Sequence, residues 1–397
     1  MNKNILIVGA GFGQVPAIKK AKELGLTVIT IDKNPNAIGM SMADFSYDVD
    51  IIDKEKSLEI AKKHCVNGVI TMQSDLPVPT IGYINDNLGL KGASFEVANV
   101  CSNKMKTRRR LKIKNTLQPI FKIVSDEEEA KMACEEIGFP CVIKAPDSSG
   151  SRGITKVIGE DEISNAVRES FKHSRKAQII VEEYINGLEF GAQTFSVDGT
   201  CKLVLLHSDS LSPPPYMIPI GHSFPFLGLS EKETNIAIED IKQAIDVLGI
   251  KNGPANVDFI LDEKTRRIKI LEVGARIGAT CLPELIQYHT GIDWIEQTIL
   301  NSISEETNLE IMHNIPVSAF IIEAPKDGIL ENYEFPKSYI QNKNLLEYEI
   351  TVSKGDSVFK LRKGTDRIGK VIFKGDTVAE SEKQCVNFLK AIRFDIR

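Results

Sequence analysis

Short apolar runs alternate with stretches of helical periodicity through the first hundred residues. Residues 4–10 are continuously apolar and lead into Gly9-Ala10-Gly11-Phe12-Gly13. Val15, Ile18, Ala21 and Leu24 then recur at helical spacing, and Gly25 closes that element. A second strand is predicted over residues 27–31, ending at Asp32. Residues 58–63 predict a helix, 68–72 a strand, and another helix starts near Pro77. This is an α/β opening of Rossmann type, with a parallel sheet.

The periodicity changes further along. Residues 141–144 and 179–190 predict strands, the latter broken by a turn at Asn186-Gly187, and 231–248 predicts an amphipathic helix. Residues 255–279 predict a β-hairpin: Val257, Phe259 and Leu261 alternate with Asp258, Ile260 and Asp262, a charged turn spans 263–267, and Ile268, Ile270 and Glu272 lie on the return strand. Residues 282–300 read as mostly helical, with Trp294 in the core. Beyond about residue 315 the pattern is of strands (317–324, 346–352, 358–362 and 369–375) before a final helix at 378–392. No tandem repeat or low-complexity segment interrupts the sequence.

Composition narrows the class. The 397 residues allow two or three domains. With 49 basic and 54 acidic side chains, net charge −5, the chain offers no global footprint for nucleic acid or an anionic membrane. Seven dispersed cysteines without a C-x-x-C pair read as reduced thiols in a cytoplasmic protein, neither a disulfide frame nor a zinc site. The apolar start is too short for a signal peptide and no window approaches a membrane span.

Candidate chemistry sits at the ends of these elements. Asp258 and Glu272, near the open end of the hairpin, can share a hard cation such as Mg²⁺, which takes oxygen ligands. Arg276, four residues on from Glu272, can clamp a carboxylate or phosphate; two solvated acids and a structural Arg are the plainer alternative. The glycine turn at 9–13, with Asp32 where a ribose-binding acid is expected, admits dinucleotide binding, yet Gln14 replaces the third glycine of G-x-G-x-x-G and a scaffold turn explains it better. Ser74 and Asp75 follow the carboxyl end of a strand, where substrates bind, or else cap the next helix. The run KMKTRRRLKIK at 104–114 suggests phosphate, although a solvated helix face is the commoner explanation. Lys144 ends a strand before a loop of small residues at 147–153, whose N–H groups could close on phosphate oxygens. Glu182, Glu183 and Glu189 could hold ribose hydroxyls and an adenine amino group, or be exposed strand acids. The proline-rich stretch at 203–229 carries Asp209, Ser210 and His222 as substrate candidates or as an incidental surface loop.

Taken together these residues resemble the ATP-grasp superfamily, in the branch of carbamoyl phosphate synthetase, biotin carboxylase, glycinamide ribonucleotide synthetase and amino-acid ligases. The likeness rests on Lys104, Lys144 with its Gly/Ser loop, V-E-E-Y-I…G-x-E at 181–189, V-D-F…E-x-G-x-R at 257–276 and a β-rich tail, and covers nearly the whole chain. It implies a Rossmann-like pre-ATP-grasp domain (1–100), a two-subdomain ATP-grasp fold (101–310, with 115–190 as lid) and a C-terminal β-rich domain (311–397). It also implies ATP with Mg²⁺ (or Mn²⁺), small-molecule carboxylate and amine substrates, no nucleic-acid or membrane partner, and a homodimer.

By the same resemblance Lys104 and Lys144 hold phosphates, and Ser148, Ser149, Gly150, Ser151 and Gly153 belong to the loop over the triphosphate. Glu182 sits by the adenine amino group, the backbone of Glu183 and Ile185 reads the adenine edge, and Glu189 binds ribose. Asp258 and Glu272 carry metal, and Arg276 meets the transferring phosphoryl group. The implied activity is ADP-forming carboxylate–amine ligation through an acyl phosphate. Alternatives are a glycinamide ribonucleotide synthetase-like or carboxyphosphate-forming purine-pathway enzyme, and a non-catalytic ATP-binding regulatory module. The departure is Gly274, where many relatives place an Asn that completes the second metal's ligands.

Overall fold

The computed structural model describes residues 3–112, 117–146, 153–174, 177–213 and 216–397. The chain divides into two compact units, residues 1–205, 229–278 and 294–309 in one and 206–228, 279–293 and 310–397 in the other.

The first unit opens with β1 (Asn4–Val8), α1 (Val15–Glu23), β2 (Thr27–Asp32), β3 (Phe45–Asp48), α2 (Lys54–Lys63), β4 (Gly68–Ile70), α3 (Val78–Leu88) and α4 (Phe95–Cys101). Its strands form a parallel sheet in the order β3-β2-β1-β4. Ile5, Leu6, Ile7 and Val8 are all buried, as a strand covered on both faces requires. Gln14, at the third position of the glycine motif, clamps this edge: its Nε2 donates to the Met72 carbonyl at 2.7 Å and its Oε1 accepts from the Met72 N–H at 2.8 Å. Asp32 accepts from the Ala10 N–H at 2.9 Å, so the acid expected at a ribose braces the glycine turn. Both observations favour the scaffold reading.

After α5 (Lys104–Leu111) come β5 (Phe121–Val124), α6 (Glu127–Ile137), β6 (Cys141–Lys144), β7 (Ile154–Val157), α7 (Ile163–His173) and β8 (Ile179–Glu183). The strands pair antiparallel in the order β5-β8-β6-β7, and Val124, Cys134, Ile143, Val157, Val167 and Val181 pack between them and the two helices. Helices α6 and α7 were not anticipated from the apolar pattern. The same unit holds β9 (Gly187–Val197), the start of β10 (Thr200–Leu211), α8 (Glu231–Leu248) and the hairpin β12 (Gly253–Asp262) and β13 (Ile268–Gly274), with β9 pairing β12 and β12 pairing β13. Helix α8 has the predicted span because both ends are specified: Ser230 and Glu233 form a reciprocal capping box, and Gly249 closes the helix at φ 85°.

In the second unit the end of β10 pairs with β11 (Pro219–Phe224), and β14 (Val317–Ile322), β18 (Gly369–Lys374) and β16 (Leu345–Ile350) follow in that order. Its helix α9 (Leu282–Thr290) stops at Gly291, at φ 84°, so the stretch predicted as one helix is two, the other being α10 (Trp294–Ser302) of the first unit. β15 (Gly328–Glu334) pairs with β17 (Ser357–Val358) and β19 (Arg393–Ile396), and α11 (Lys337–Ile340) and α12 (Val378–Ala391) complete the unit. The strand predicted at 358–362 ends after Val358. Side chains take its N–H groups instead: Lys360 donates to Asp327 Oδ1 at 2.7 Å and Arg362 to Asp366 Oδ2 at 3.0 Å.

Candidate active site

The predicted hairpin forms, but its register holds a feature that alternation cannot show. Phe259 pairs with Ile270 whereas Asp258 pairs with Glu272, so Leu271 is an extra residue on β13. Without that bulge Glu272 would oppose Val257 and point to the buried face. With it, the two carboxylates share a rung and a face.

Helix α5 holds the bulge. Arg108, fully buried, donates from Nη1 to the Ile270 carbonyl at 3.0 Å and from Nη2 to the Leu271 carbonyl at 3.1 Å. Its Nε reaches Glu182 Oε1 at 2.6 Å, and Nη2 reaches Glu182 Oε2 at 3.3 Å. Arg108 thus faces the interior, while Lys106, Arg109 and Lys112 of the same run are exposed. Lys104, one turn earlier, puts Nζ 3.0 Å from Glu272 Oε1. The i, i+4 spacing of Lys104 and Arg108 was the available signal for Arg108, which the sequence reading missed.

Lys144, at the end of β6, lies 2.6 Å from Glu182 Oε2, so one carboxylate joins two cations in the interior. Burial raises the Glu182 carboxyl, but Arg108 and Lys144 outweigh it and hold it down at about 2. Burial, helped by the nearby charges of Arg108 and Lys104, lowers Lys144 to about 8 despite its partner. The Lys104 N–H donates to the Pro146 carbonyl at 3.1 Å, which ties the start of α5 to the segment just beyond Lys144.

Arg276 extends from the end of the hairpin to the loop after β4. Its Nη2 donates to Asp75 Oδ2 at 2.9 Å, and Nε lies 2.9 Å from Oδ1 as an ion-pair contact. Burial lowers the guanidinium, but Asp75 prevails and raises it. The loop is pinned by a parallel bridge between Met72 and Ile277, and Gln73, at φ 61°, donates its N–H to the Ile277 carbonyl at 3.2 Å. Gly274 leaves room for this pair: a Cβ would lie 2.7 Å from Asp75 Oδ1 and 3.1 Å from Arg276 Cζ, so the two side chains would have to shift.

The remaining predicted residues are distributed more widely. Ser74 is half-buried beside Asp75. Glu183 exchanges two bonds with Ile120, accepting its N–H at 3.0 Å and donating to its carbonyl at 2.9 Å. Ile185 is buried, and Glu189 is exposed on β9 opposite Ile260. Gly153, at φ 66°, would bring a Cβ within 2.7 Å of His173 Cβ. Ser148, Ser149, Gly150 and Ser151 lie outside the described residues. His222 belongs to the second unit, where Asp209 Oδ1 meets His222 Nδ1 at 2.5 Å and His207 Nδ1 at 2.8 Å. Burial raises the Asp209 carboxyl, but the two imidazoles outweigh it and lower it.

Two carboxylates on one rung, flanked by cations that suit phosphate oxygens, are a donor set that fits Mg²⁺. Residues 103–310 match the family described as carbamoyl-phosphate synthase L chain, ATP binding domain, and residues 320–397 match L-amino acid ligase C-terminal domain 2. The chain belongs to the first of these families and is an ATP-grasp protein. Among solved structures it is similar to phosphoribosylglycinamide synthetase from Anaerococcus prevotii (29% identity, TM-score 0.86, 100% of both chains covered). It shares its fold with the L-amino acid ligase of Bacillus licheniformis (20% identity, TM-score 0.82, 100% of this chain and 99% of the other covered). Formate-dependent phosphoribosylglycinamide formyltransferase of Saccharolobus solfataricus is 29% identical over 191 residues, 46% of this chain and 47% of that protein. The chain spans 47% to 63% of the length of three curated relatives it matches. Among the described residues no helix is long and apolar enough to cross a membrane.

Proposed function

We propose that the protein is an ATP-dependent, ADP-forming ligase that joins a small carboxylic acid to an amine through an acyl phosphate. The observation that carries this reading is the pairing of Asp258 with Glu272 on one rung of the hairpin, with Lys104 3.0 Å from Glu272. Asp258 and Glu272 would hold Mg²⁺, which neutralises phosphate charge when bound. Lys104 and Lys144 place positive charge for the phosphate oxygens, and Arg276 receives the acid and the phosphoryl oxygens that gain charge during transfer. The substrate carboxylate attacks the γ-phosphorus, ADP leaves, and the amine then displaces phosphate from the acyl carbon with loss of its proton. The three-part division at about residues 100 and 310, with 115–190 over the nucleotide, belongs to the same proposal, as do the adenosine contacts of Glu182, Glu183, Ile185 and Glu189.

The acid we favour is an α-amino acid. Asp75 beside Arg276 presents a carboxylate and a guanidinium side by side, which complements an ammonium and a carboxylate on one carbon. The match of residues 320–397 to an L-amino acid ligase domain supports the same choice. A second reading, ligation of glycine to a phosphoribosylamine, is favoured by the similarity to the Anaerococcus prevotii synthetase. Homodimer formation and a cytoplasmic location complete the proposal.

Hydroxylamine trapping with Mg-ATP across a panel of carboxylic acids tests it, because an acyl phosphate yields a hydroxamate without the natural amine. Amino acids should give hydroxamate and ADP, and Glu272→Ala should give neither while keeping the parental fold by circular dichroism. Phosphoribosylamine-dependent ADP release with glycine would favour the second reading. ATP binding with no ADP release in any mixture would identify a regulatory module.

A further inference from the structure

A second row of polar side chains runs beside the carboxylate pair. On its own rung Asp258 faces Glu272 of β13 on one side and Gly191 of β9 on the other. Glu272 has the Lys104 ammonium against it. The next rung runs Gln193, Asn256, Gly274 across β9, β12 and β13. The space over Gly274 is filled by Asp75 and Arg276, so the side-chain amides of this rung come from Asn256 and Gln193. Asn256 Nδ2 donates to Asp258 Oδ1 at 2.9 Å, and Asn256 Oδ1 accepts from Gln193 Nε2 at 2.5 Å. Gln193 also donates to the Ala192 carbonyl at 3.2 Å. Gln193 is fully buried and Asn256 is 9% exposed.

We infer that Asn256 is a positioning residue that fixes Asp258 for the cation, and that Gln193 fixes Asn256. This rests on the reading of Asp258 and Glu272 as the cation-binding pair. The terminal torsion of an aspartate is broad, so a hydrogen bond to one carboxylate oxygen narrows the orientations that it samples. An amide can present either its oxygen or its nitrogen to a neighbour. Here the Asn256 oxygen is engaged by Gln193, which leaves its nitrogen as the end facing Asp258, and a donor is what a carboxylate accepts. The bond received at the carbonyl polarises the amide and strengthens the bond that it gives. Such outer partners commonly contribute 10- to 100-fold in metal affinity, roughly, without touching the ion.

The test is Mn²⁺ binding to the full chain, followed by electron paramagnetic resonance in the absence of nucleotide. The parent should bind and Asp258→Ala should not, which tests the carboxylate pair itself. Asn256→Ala and Gln193→Leu should each weaken Mn²⁺ binding roughly 10- to 100-fold. The double variant should bind Mn²⁺ no more weakly than Asn256→Ala, because on this inference Gln193 reaches Asp258 through Asn256. ATP affinity in EDTA, which a general disturbance of the site would move, should stay near the parental value. Parental Mn²⁺ affinity in Asn256→Ala overturns the inference, as do single losses that multiply in the double variant. Equal losses of Mn²⁺ and metal-free ATP binding also overturn it. A parent that binds no Mn²⁺, or binds it as well after Asp258→Ala, removes the carboxylate-pair reading and the inference with it.

Discussion

Replacing Glu182 by Gln removes one charge and almost no volume from the interior. It leaves the Arg108 guanidinium and the Lys144 ammonium as two buried cations without their shared carboxylate. Breaking a buried ion pair on one side costs about 3–5 kcal/mol. The lowered carboxyl pKa corresponds to a similar size. The Glu182 carboxyl is lowered from 4.5 to about 2, and at about 1.4 kcal/mol per pH unit this corresponds to roughly 3 kcal/mol. A folded-state value below the unfolded one means that this stability is present above pH 4.5 and is lost as pH falls toward 2. The variant should therefore melt roughly 6–20 °C below the parent near neutral pH, taking about 2–4 °C per kcal/mol for a unit of this size. It should also lack the part of the parent's acid destabilisation that falls between pH 4.5 and about 2. Thermal melting followed by far-UV circular dichroism at pH 7 measures the first, and urea unfolding from pH 7 down to pH 2 measures the second. A variant within about 0.5 kcal/mol of the parent, the range of ordinary surface substitutions, would refute the claim that Glu182 is the internal counter-ion of Arg108 and Lys144.

Two further outcomes follow from the same geometry. Burial holds Lys144 near 8, so a rise in pH through that value discharges it. ATP affinity measured in EDTA should fall between pH 7 and 9 in the parent and stay level in Lys144→Arg; a level parent would show that the Lys144 charge does not contribute to nucleotide binding. Gly274→Asn puts a side chain where Asp75 and Arg276 meet, with its Cβ 2.7 Å from Asp75 Oδ1. It should lower kcat/KM for the acid by roughly tenfold or more, about 1.4 kcal/mol, while KM for ATP changes little. An unchanged acid KM and kcat would show that the Asp75–Arg276 pair does not receive the substrate.

The amino-acid sequence by itself determined most of the elements and most of the donors. Period-2 alternation fixed the hairpin and put Asp258 on its polar side, Ser230 with Glu233 and Gly249 set both ends of α8, and the apolar runs set the parallel sheet of the first unit. These are local signals, readable because capping and burial act over a turn of helix or two residues of strand. The tertiary structure alone decided how the donors meet. It placed an extra residue at Leu271 and so brought Glu272 to the rung of Asp258. It buried Arg108 against that bulge, although the surrounding run of charge reads as solvated. It joined Arg276 to Asp75, 201 positions away. The physical reason is that strand register, and the burial of a charge beside a distant counter-charge, are settled by packing between separate segments. No periodicity within one segment encodes them.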